Sequence, residues 1–565
     1  MLETTSSRAQ AAALAGHFSG PSGSEALYQV PTPFNEPVRH YAPGSPERAA
    51  LKKALEEMSS REIEVPLVIG GELVKTGDLA DIRMPHRHVH LLGRFHKARP
   101  EHVEKAIEAA LAAAPSWAAM PWTERAAIFL KAAELLAGPY RCILNAATML
   151  GQSKTAHQAE IDSACELIDF LRFNPFYMQK VYQEQPQSTD ATWNRMEHRP
   201  LEGFVFAVTP FNFTAIAGNL PSAPAMMGNV VVWKPASTAV LSAHYIMEIF
   251  ERAGLPPGVI NLVPGSGSSV GDTAIASPHL AGVHFTGSTR VFQGMWKHLG
   301  DNIARYRTYP RIVGETGGKD FVLAHPSAPV EPLATALLRG AFEFQGQKCS
   351  AASRAYIPDN LWPQVKERLL AELATVKVGD VGDFRNFMGA VIDAGAYENI
   401  KGYIDYARSS KDAEILTGGS CDDSAGYFIE PTVVQVTDPH HRLMEEEIFG
   451  PVLTLYVYPQ DDFEGAMGLI DTTSPYALTG AIFATDRGAI VRASSRLRHA
   501  AGNFYVNDKP TGAIVSQQPF GGARGSGTND KAGSVLNLIR WVSPRSIKET
   551  FVPCTDYRYP FMSER

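Results

Sequence analysis

The feature that most constrains the fold is a series of short apolar runs separated by helical stretches between residues 204 and 285. Phe204-Val205-Phe206-Ala207-Val208 ends at Thr209-Pro210, and Val230-Val231-Val232-Trp233, Val259-Ile260-Asn261-Leu262-Val263 and Gly282-Val283-His284-Phe285 follow. Helical periodicity lies between them, as over residues 240–253, which Gly254 and Pro256-Pro257 close. Runs this uniformly apolar read as strands buried on both faces, the pattern of a parallel sheet covered by helices. The expectation is an α/β chain with a doubly wound, Rossmann-like sheet. Ligands of such sheets bind beyond the carboxyl ends of the strands. Asn212, Lys234, Gly265 and Ser288, just after the runs, are therefore the first candidates for chemistry.

A second region begins near residue 316. Val330, Leu333, Ala334, Leu337, Leu338, Ala341 and Phe342 recur at helical spacing, and the pattern runs out at Gln345-Gly346, shortly before Cys349. From there to about residue 522 strand and helix signals alternate again. Upstream, residues 46–58 place Leu51, Leu55 and Met58 on one helical face, and residues 101–182 carry long helical periodicity through Val103, Ile107, Ala110 and Leu111. A single core rarely grows past about 250–300 residues, so 565 residues imply at least two domains.

Composition excludes several classes. The net charge of −7 gives no footprint for nucleic acid or an anionic membrane. No apolar run reaches the ~18 residues of a membrane span, and residues 218–233 are interrupted by Asn219, Pro221, Pro224 and Asn229. Five cysteines, an odd count without paired spacing, point to a reducing compartment and no disulfide framework. Residues 1–25 carry one Arg and two Glu, whereas a mitochondrial presequence is Arg-rich and poor in acids. Cytoplasm and mitochondrial matrix both stay open. His86, His88 and His90 alternate and would share one strand face. With no Cys or carboxylate at ligand spacing, a solvated face is the simpler reading than a metal site.

Three segments could carry chemistry. Gly265-Ser266-Gly267-Ser268-Ser269-Val270-Gly271 follows a strand, but its third glycine is displaced from the dinucleotide fingerprint. Cys349 lies in a polar segment read as flexible, Gln345-Gly346-Gln347-Lys348-Cys349-Ser350, where a nearby Lys would help hold a thiolate. Glu315 sits between glycines in Val313-Gly314-Glu315-Thr316-Gly317-Gly318-Lys319, so the backbone there has room to approach a ligand. Taken singly, the ordinary readings are a structural turn, an inert buried cysteine and a salt-bridged carboxylate.

Together these segments resemble the aldehyde dehydrogenase superfamily. The resemblance rests on Thr209-Pro210-Phe211-Asn212-Phe213, Trp233-Lys234-Pro235, Phe285-Thr286-Gly287-Ser288-Thr289, Gly314-Glu315-Thr316-Gly317-Gly318-Lys319, Gly346-Gln347-Lys348-Cys349, Glu446-Glu447-Ile448-Phe449-Gly450-Pro451 and Pro519-Phe520-Gly521-Gly522, in the family's order over roughly residues 60–545. Further segments, among them Ala159-Glu160-Ile161-Asp162, Arg199-Pro200-Leu201-Glu202-Gly203-Phe204 and Gly525-Ser526-Gly527-Thr528-Asn529-Asp530, are similar to the branch that oxidises glutamate 5-semialdehyde to glutamate in proline breakdown.

The resemblance implies an NAD-binding domain at 61–185 and 208–315, a catalytic domain at 316–522, an oligomerisation flap at 186–207 and 523–565, and an N-terminal segment at 1–60. It implies Cys349 as nucleophile, Asn212 as oxyanion donor with the Cys349 N–H, and Glu315 as general base. For NAD it implies Lys234 at the adenosine ribose, Ser288 capping a helix beneath the pyrophosphate, Glu447 at the nicotinamide ribose with Phe449 packed beside it, and Gly265 in the cofactor turn. Ser237 stands where NAD-selective relatives often carry Glu, so exclusion of a 2′-phosphate stays open. Ser350, Gly512 and Ala513 match the positions that hold a substrate α-carboxylate, with Ala513 in place of the family's usual Ser. Phe213 and Phe520 match the aliphatic-stem positions and Glu166 the amino end. The implied partners are a small-molecule substrate and a second copy of the chain. A general aldehyde dehydrogenase, a coenzyme-A-acylating relative and a non-enzymatic paralogue are the alternatives, disfavoured respectively by the Gly512 loop, Glu315 and Cys349.

Overall fold

A computed structural model describes residues 27–564, so the presequence question at residues 1–25 lies outside the described residues. The apolar runs form the strands Phe204–Val208, Val230–Lys234, Ile260–Leu262 and Leu280–Thr286. Together with Arg311–Glu315 they pair in parallel, and the antiparallel Leu67–Ile69 and Glu72–Val74 extend the far edge to seven strands. Phe204, Val205, Phe206 and Ala207 are fully buried, as are Val230 to Trp233. Helices on both faces, including Pro100–Ala119, Trp122–Ala137 and Thr214–Met226, supply that cover. Helix Val240–Ala253 ends on Gly254 at φ 104°, where glycine's lack of a Cβ allows the left-handed cap.

The second sheet also has seven strands, ordered Ala413–Thr417, Thr432–Val436, Val452–Tyr458, Ala352–Pro358, Asp320–Ala324, Thr479–Phe483 and Asn503–Val506. All its pairs are parallel except the first. Successive strand residues point to opposite faces, so Phe321 and Leu323 join one core while Val322 and Ala324 join the other. Helix Val330–Phe342 covers the second of these cores.

Three features depart from the expected layout. Phe204–Val208 is an interior strand of the first sheet, so the ribbon strand stops at Pro200, inside the flap segment read to 207. That ribbon pairs Thr192–Pro200 with Val542–Thr550 in antiparallel register. Residues 523–541 do not belong to it: Leu538 and Trp541 enter the first core, and Thr528 N–H donates to Gly314 O at 2.9 Å. Of the three histidines, His86 lies off the strand, buried in the turn before Arg87–His96. His86 meets Ser153, His88 the Asp423 carbonyl and His90 the Ser59 carbonyl. No helix among the described residues is long and apolar enough to cross a membrane.

Candidate active site

The carboxyl ends of the first sheet and the amino ends of the second supply the site. Val208 ends its strand, and the turn after it is tied to the neighbouring strand: Thr209 N–H donates to Lys234 O (3.1 Å), and Trp233 Nε1 donates to Thr209 Oγ1 (2.9 Å). Asn212 and Phe213 then precede helix Thr214–Met226. The Asp162 carboxylate caps that helix, accepting the N–H groups of Thr214 (2.9 Å) and Ala215 (2.8 Å), where the helix dipole favours an anion. The buried Lys154 ammonium binds Asp162 at 2.7 Å and lies 4.4 Å from the Phe213 and Phe344 ring centres. Asn212 is thereby fixed with its amide toward the second domain, donating to Gln347 O at 3.1 Å. One amide hydrogen is engaged there; the other remains to donate.

Cys349 arrives on a buried segment that is pinned, contrary to the flexible reading. Phe344 and Gln345 adopt φ of 52° and 55°, breaking the preceding helix. The Gln345 side chain donates to Ser153 O (3.0 Å) and Ala390 O (2.7 Å) and accepts Gly389 N–H (3.0 Å). The expected help from Lys348 is also absent, because its ammonium pairs with Glu343 at 3.1 Å. Burial pushes the Cys349 thiol well above its ordinary pKa, and the charges of Asp320, Glu315 and Glu447 push the same way.

Glu315 closes strand Arg311–Glu315. Its carboxylate accepts Gly522 N–H at 3.0 and 3.3 Å. Burial raises its pKa well above the carboxylate range, which the Gly522 donor and Lys531 partly offset. Glu447 accepts Gly318 N–H at 2.9 Å and is raised by burial to about 7. A side chain at Gly317 would occupy the space of the Glu447 carboxylate, so the glycines beside Glu315 make room for Glu447. Phe449, at φ 58°, meets Phe211 edge-on with ring centres 5.9 Å apart.

A cleft of about 730 Å³ is lined by Ser288, Thr289, Glu447 and Tyr476 among others. Ser288 caps helix Thr289–Asp301 through Val291 N–H (3.4 Å), leaving the helix N-terminus toward that cleft. Gly265 is enclosed: a Cβ there would press on Val270 at 2.8 Å and on Ala98 O at 3.1 Å. Lys234 is the residue whose surroundings most need a ligand. It makes a long contact to Pro235 O (3.4 Å), has no carboxylate partner among the described residues, and is shifted down by burial. A ribose hydroxyl is the kind of acceptor this donor lacks. With the free helix end at Ser288 and the carboxylate of Glu447, these residues fit a dinucleotide.

On the other side of Cys349, Ser350 Oγ lies 2.8 Å from Thr511 Oγ1. Gly512 follows at φ 97° and Ala513 is half-buried beside it. Phe520 is held by an exchange of backbone hydrogen bonds with Ala532 (3.0 and 2.8 Å). Glu166, in the π-helical turn Glu160–Glu166, is raised to about 8 by burial and by Asp162. Thr511, Lys154 with Asp162, and Lys531 escaped the sequence. Thr511 had one signal, a hydroxyl next to a predicted anchor glycine; the others are single polar residues with no local pattern to mark them.

A thiol, a carboxyl group and an amide held close together, beside residues that fit a dinucleotide, are the arrangement of an NAD-dependent oxidoreductase. The chain belongs to the aldehyde dehydrogenase family, whose model matches residues 75–543. It is 53% identical over 536 residues to the mitochondrial delta-1-pyrroline-5-carboxylate dehydrogenase of Dictyostelium discoideum, covering 94% of this chain and 96% of that one. With the human mitochondrial enzyme of that name it shares 51% identity over 529 residues, 94% of each chain. The delta-pyrroline-5-carboxylate dehydrogenase of Mycobacterium tuberculosis, solved with NAD bound, superposes with a TM-score of 0.93 at 54% identity, covering 96% of this chain and all (100%) of that one.

Proposed function

We propose that the protein oxidises L-glutamate 5-semialdehyde, the open form of 1-pyrroline-5-carboxylate, to L-glutamate with NAD as acceptor. The observation that carries this reading is the Ser350–Thr511 hydroxyl pair, which joins the residue after Cys349 to the loop of Gly512 and Ala513. An α-carboxylate held by those hydroxyls and the loop N–H groups sits a short chain away from the sulfur, as the semialdehyde requires. Its ammonium faces Glu166 and its methylenes Phe213 and Phe520.

In this reading Cys349 gives its thiol proton to water, Sγ attacks the aldehyde carbon and the carbonyl electrons move to oxygen. The free Asn212 amide hydrogen and the Cys349 N–H hold that oxyanion, each such donor supplying typically ~3–4 kcal/mol. Bound NAD, gripped by Lys234, Glu447 and the helix end at Ser288, supplies the two-electron acceptor. The product at this stage is a thioester on Cys349. Glu315 then takes a proton from water as the water oxygen adds to the thioester, and the sulfur leaves. A carboxyl group with a raised pKa is suited to hold that proton near neutral pH.

The test is a panel of aldehydes with NAD, read by NADH absorbance. Donors left unpaired by a substrate lacking the α-carboxylate cost about 1–3 kcal/mol each, so the semialdehyde is favoured over pentanal by tens- to thousands-fold. Equal efficiency toward pentanal would overturn the assignment and leave a general aldehyde dehydrogenase. The active unit in this reading is a homodimer joined through the ribbon of Thr192–Pro200 and Val542–Thr550, working in the cytoplasm or the mitochondrial matrix. The absence of any disulfide among the five cysteines suits both compartments.

A further inference from the structure

The Glu315 carboxylate is connected to a lysine through a single peptide group. Gly522 N–H donates to both carboxylate oxygens, at 3.0 and 3.3 Å. The Gly521 carbonyl, the opposite end of the same peptide unit, accepts from Lys531 Nζ at 3.0 Å. The other acceptors of that ammonium are neutral: Gly502 O at 2.8 Å and Asn503 Oδ1 at 3.3 Å. No carboxylate pairs with Lys531 among the described residues.

A cation on an amide oxygen and an anion on its N–H lie along the amide's own dipole. Each polarises the amide in the direction that strengthens the other hydrogen bond. The surrounding loop is built to hold this line. Asn529 and Lys531 adopt φ of 58° and 50°, an uncommon conformation for residues with side chains, and the turn brings the ammonium back under Gly521. A Cβ on Gly522 would meet Leu478 at 2.6 Å and Ser526 at 2.7 Å, so only glycine lets the N–H approach Glu315 here.

We propose that Lys531 is a positioning residue for thioester hydrolysis, holding the Glu315 carboxylate ionised and docked on Gly522 through the Gly521–Gly522 peptide until water is delivered. This rests on Glu315 being the base. The groups facing Glu315 are Lys531, which favours its charged form, Asp530, which opposes it, and the Cys349 thiol across the cleft. Asp530 is itself tied to Arg540 at 3.3 Å and to Thr528. Lys531 is thus the cation among these groups that counters burial of the carboxylate.

The experiment uses the full-length enzyme with NAD and the semialdehyde, following the NADH burst and the steady state across pH. In Lys531→Met the rising limb of the steady-state profile moves up by roughly half to one pH unit, the shift expected for losing a favourable charge, while the burst persists. Lys531→Arg restores the parent limb. Lys531→Gln, which keeps a donor for Gly521 O without the charge, shifts it as Met does and serves if Met folds poorly. A limb that stays in place in both neutral variants overturns the proposal. So does an equal loss of burst and steady state with no pH shift, the mark of a purely structural lysine. Glu315→Gln run alongside separates the two readings. If it turns over like the parent, the base assignment itself fails; if it stalls after the burst while the Lys531 variants do not shift, only the present inference fails.

Discussion

At the residue scale the site is a set of groups whose burial opposes their charged forms. Cys349 and Glu315 are raised well above their ordinary values, Glu166 to about 8 and Glu447 to about 7, each chiefly by burial. Cys349→Ala is therefore expected to remove NADH formation entirely while NAD still quenches protein fluorescence; surviving turnover would exclude the thioester route. For Glu315 the expected linkage is a stability effect. Its folded pKa exceeds the unfolded one, so between those values the folded state binds the extra proton. The fold then loses stability as pH rises above the ordinary carboxylate range. Glu315→Gln has no proton to lose, so its melting temperature should gain on the parent's as pH is raised from 5 to 8; parallel curves would refute this. Ala513→Ser adds a hydroxyl beside Gly512 and is expected to lower KM for the semialdehyde several-fold, leaving pentanal kinetics unmoved. The sequence singled out Glu315 by the glycines around it, Cys349 by its polar segment off a helix end and Asn212 by its place after an apolar strand. It misread Lys348, since nothing local reveals that Glu343, five residues back, takes the ammonium.

At the scale of elements, the parallel strands were legible because burial on both faces writes itself into consecutive apolar residues. The strands Ile63–Val65, Leu79–Met84 and Arg87–His96 were not, because they are half-buried and mixed in composition. Nor was the link by which Asp162 caps helix Thr214–Met226, since the partners lie 52 residues apart. That link carries a prediction. Asp162 neutralises the buried Lys154 and positions the turn bearing Asn212 and Phe213. Breaking a buried pair from one side costs about 3–5 kcal/mol, whereas replacing both partners costs far less. Asp162→Ala should lower stability by about that amount in denaturant titrations and reduce kcat/KM. Asp162→Ala with Lys154→Met should recover a large part of the loss, and an additive double mutant would show that the pair is not coupled.

For the whole molecule, the carboxyl edge of the first sheet meets the amino edge of the second, and the ribbon stands apart from both cores. A two-stranded ribbon alone in water is marginally stable, yet Thr192–Pro200 and Val542–Thr550 pair along their full length. The ribbon and the tail that follows it carry uncovered large side chains: Trp193 is 49% exposed, Phe551 57%, Tyr557 83% and Phe561 84%. Large exposed side chains of this kind are expected where another protein covers the surface. The chain supplies the same ribbon and tail to any second copy, and a twofold pairing makes one patch complementary to itself. Light scattering of the purified protein is therefore expected to give twice the chain mass of 61.4 kDa, and the melting temperature should rise with protein concentration, because association stabilises the folded state by mass action. Trp193→Ala combined with removal of residues 551–565 should shift the mass toward one chain. The truncated protein should keep its two sheets by circular dichroism, since neither core draws on residues beyond Val542. A parent that elutes as a single chain at micromolar concentration, with a melting temperature independent of concentration, would show that the ribbon stands by itself and that the apolar tail has another occupant.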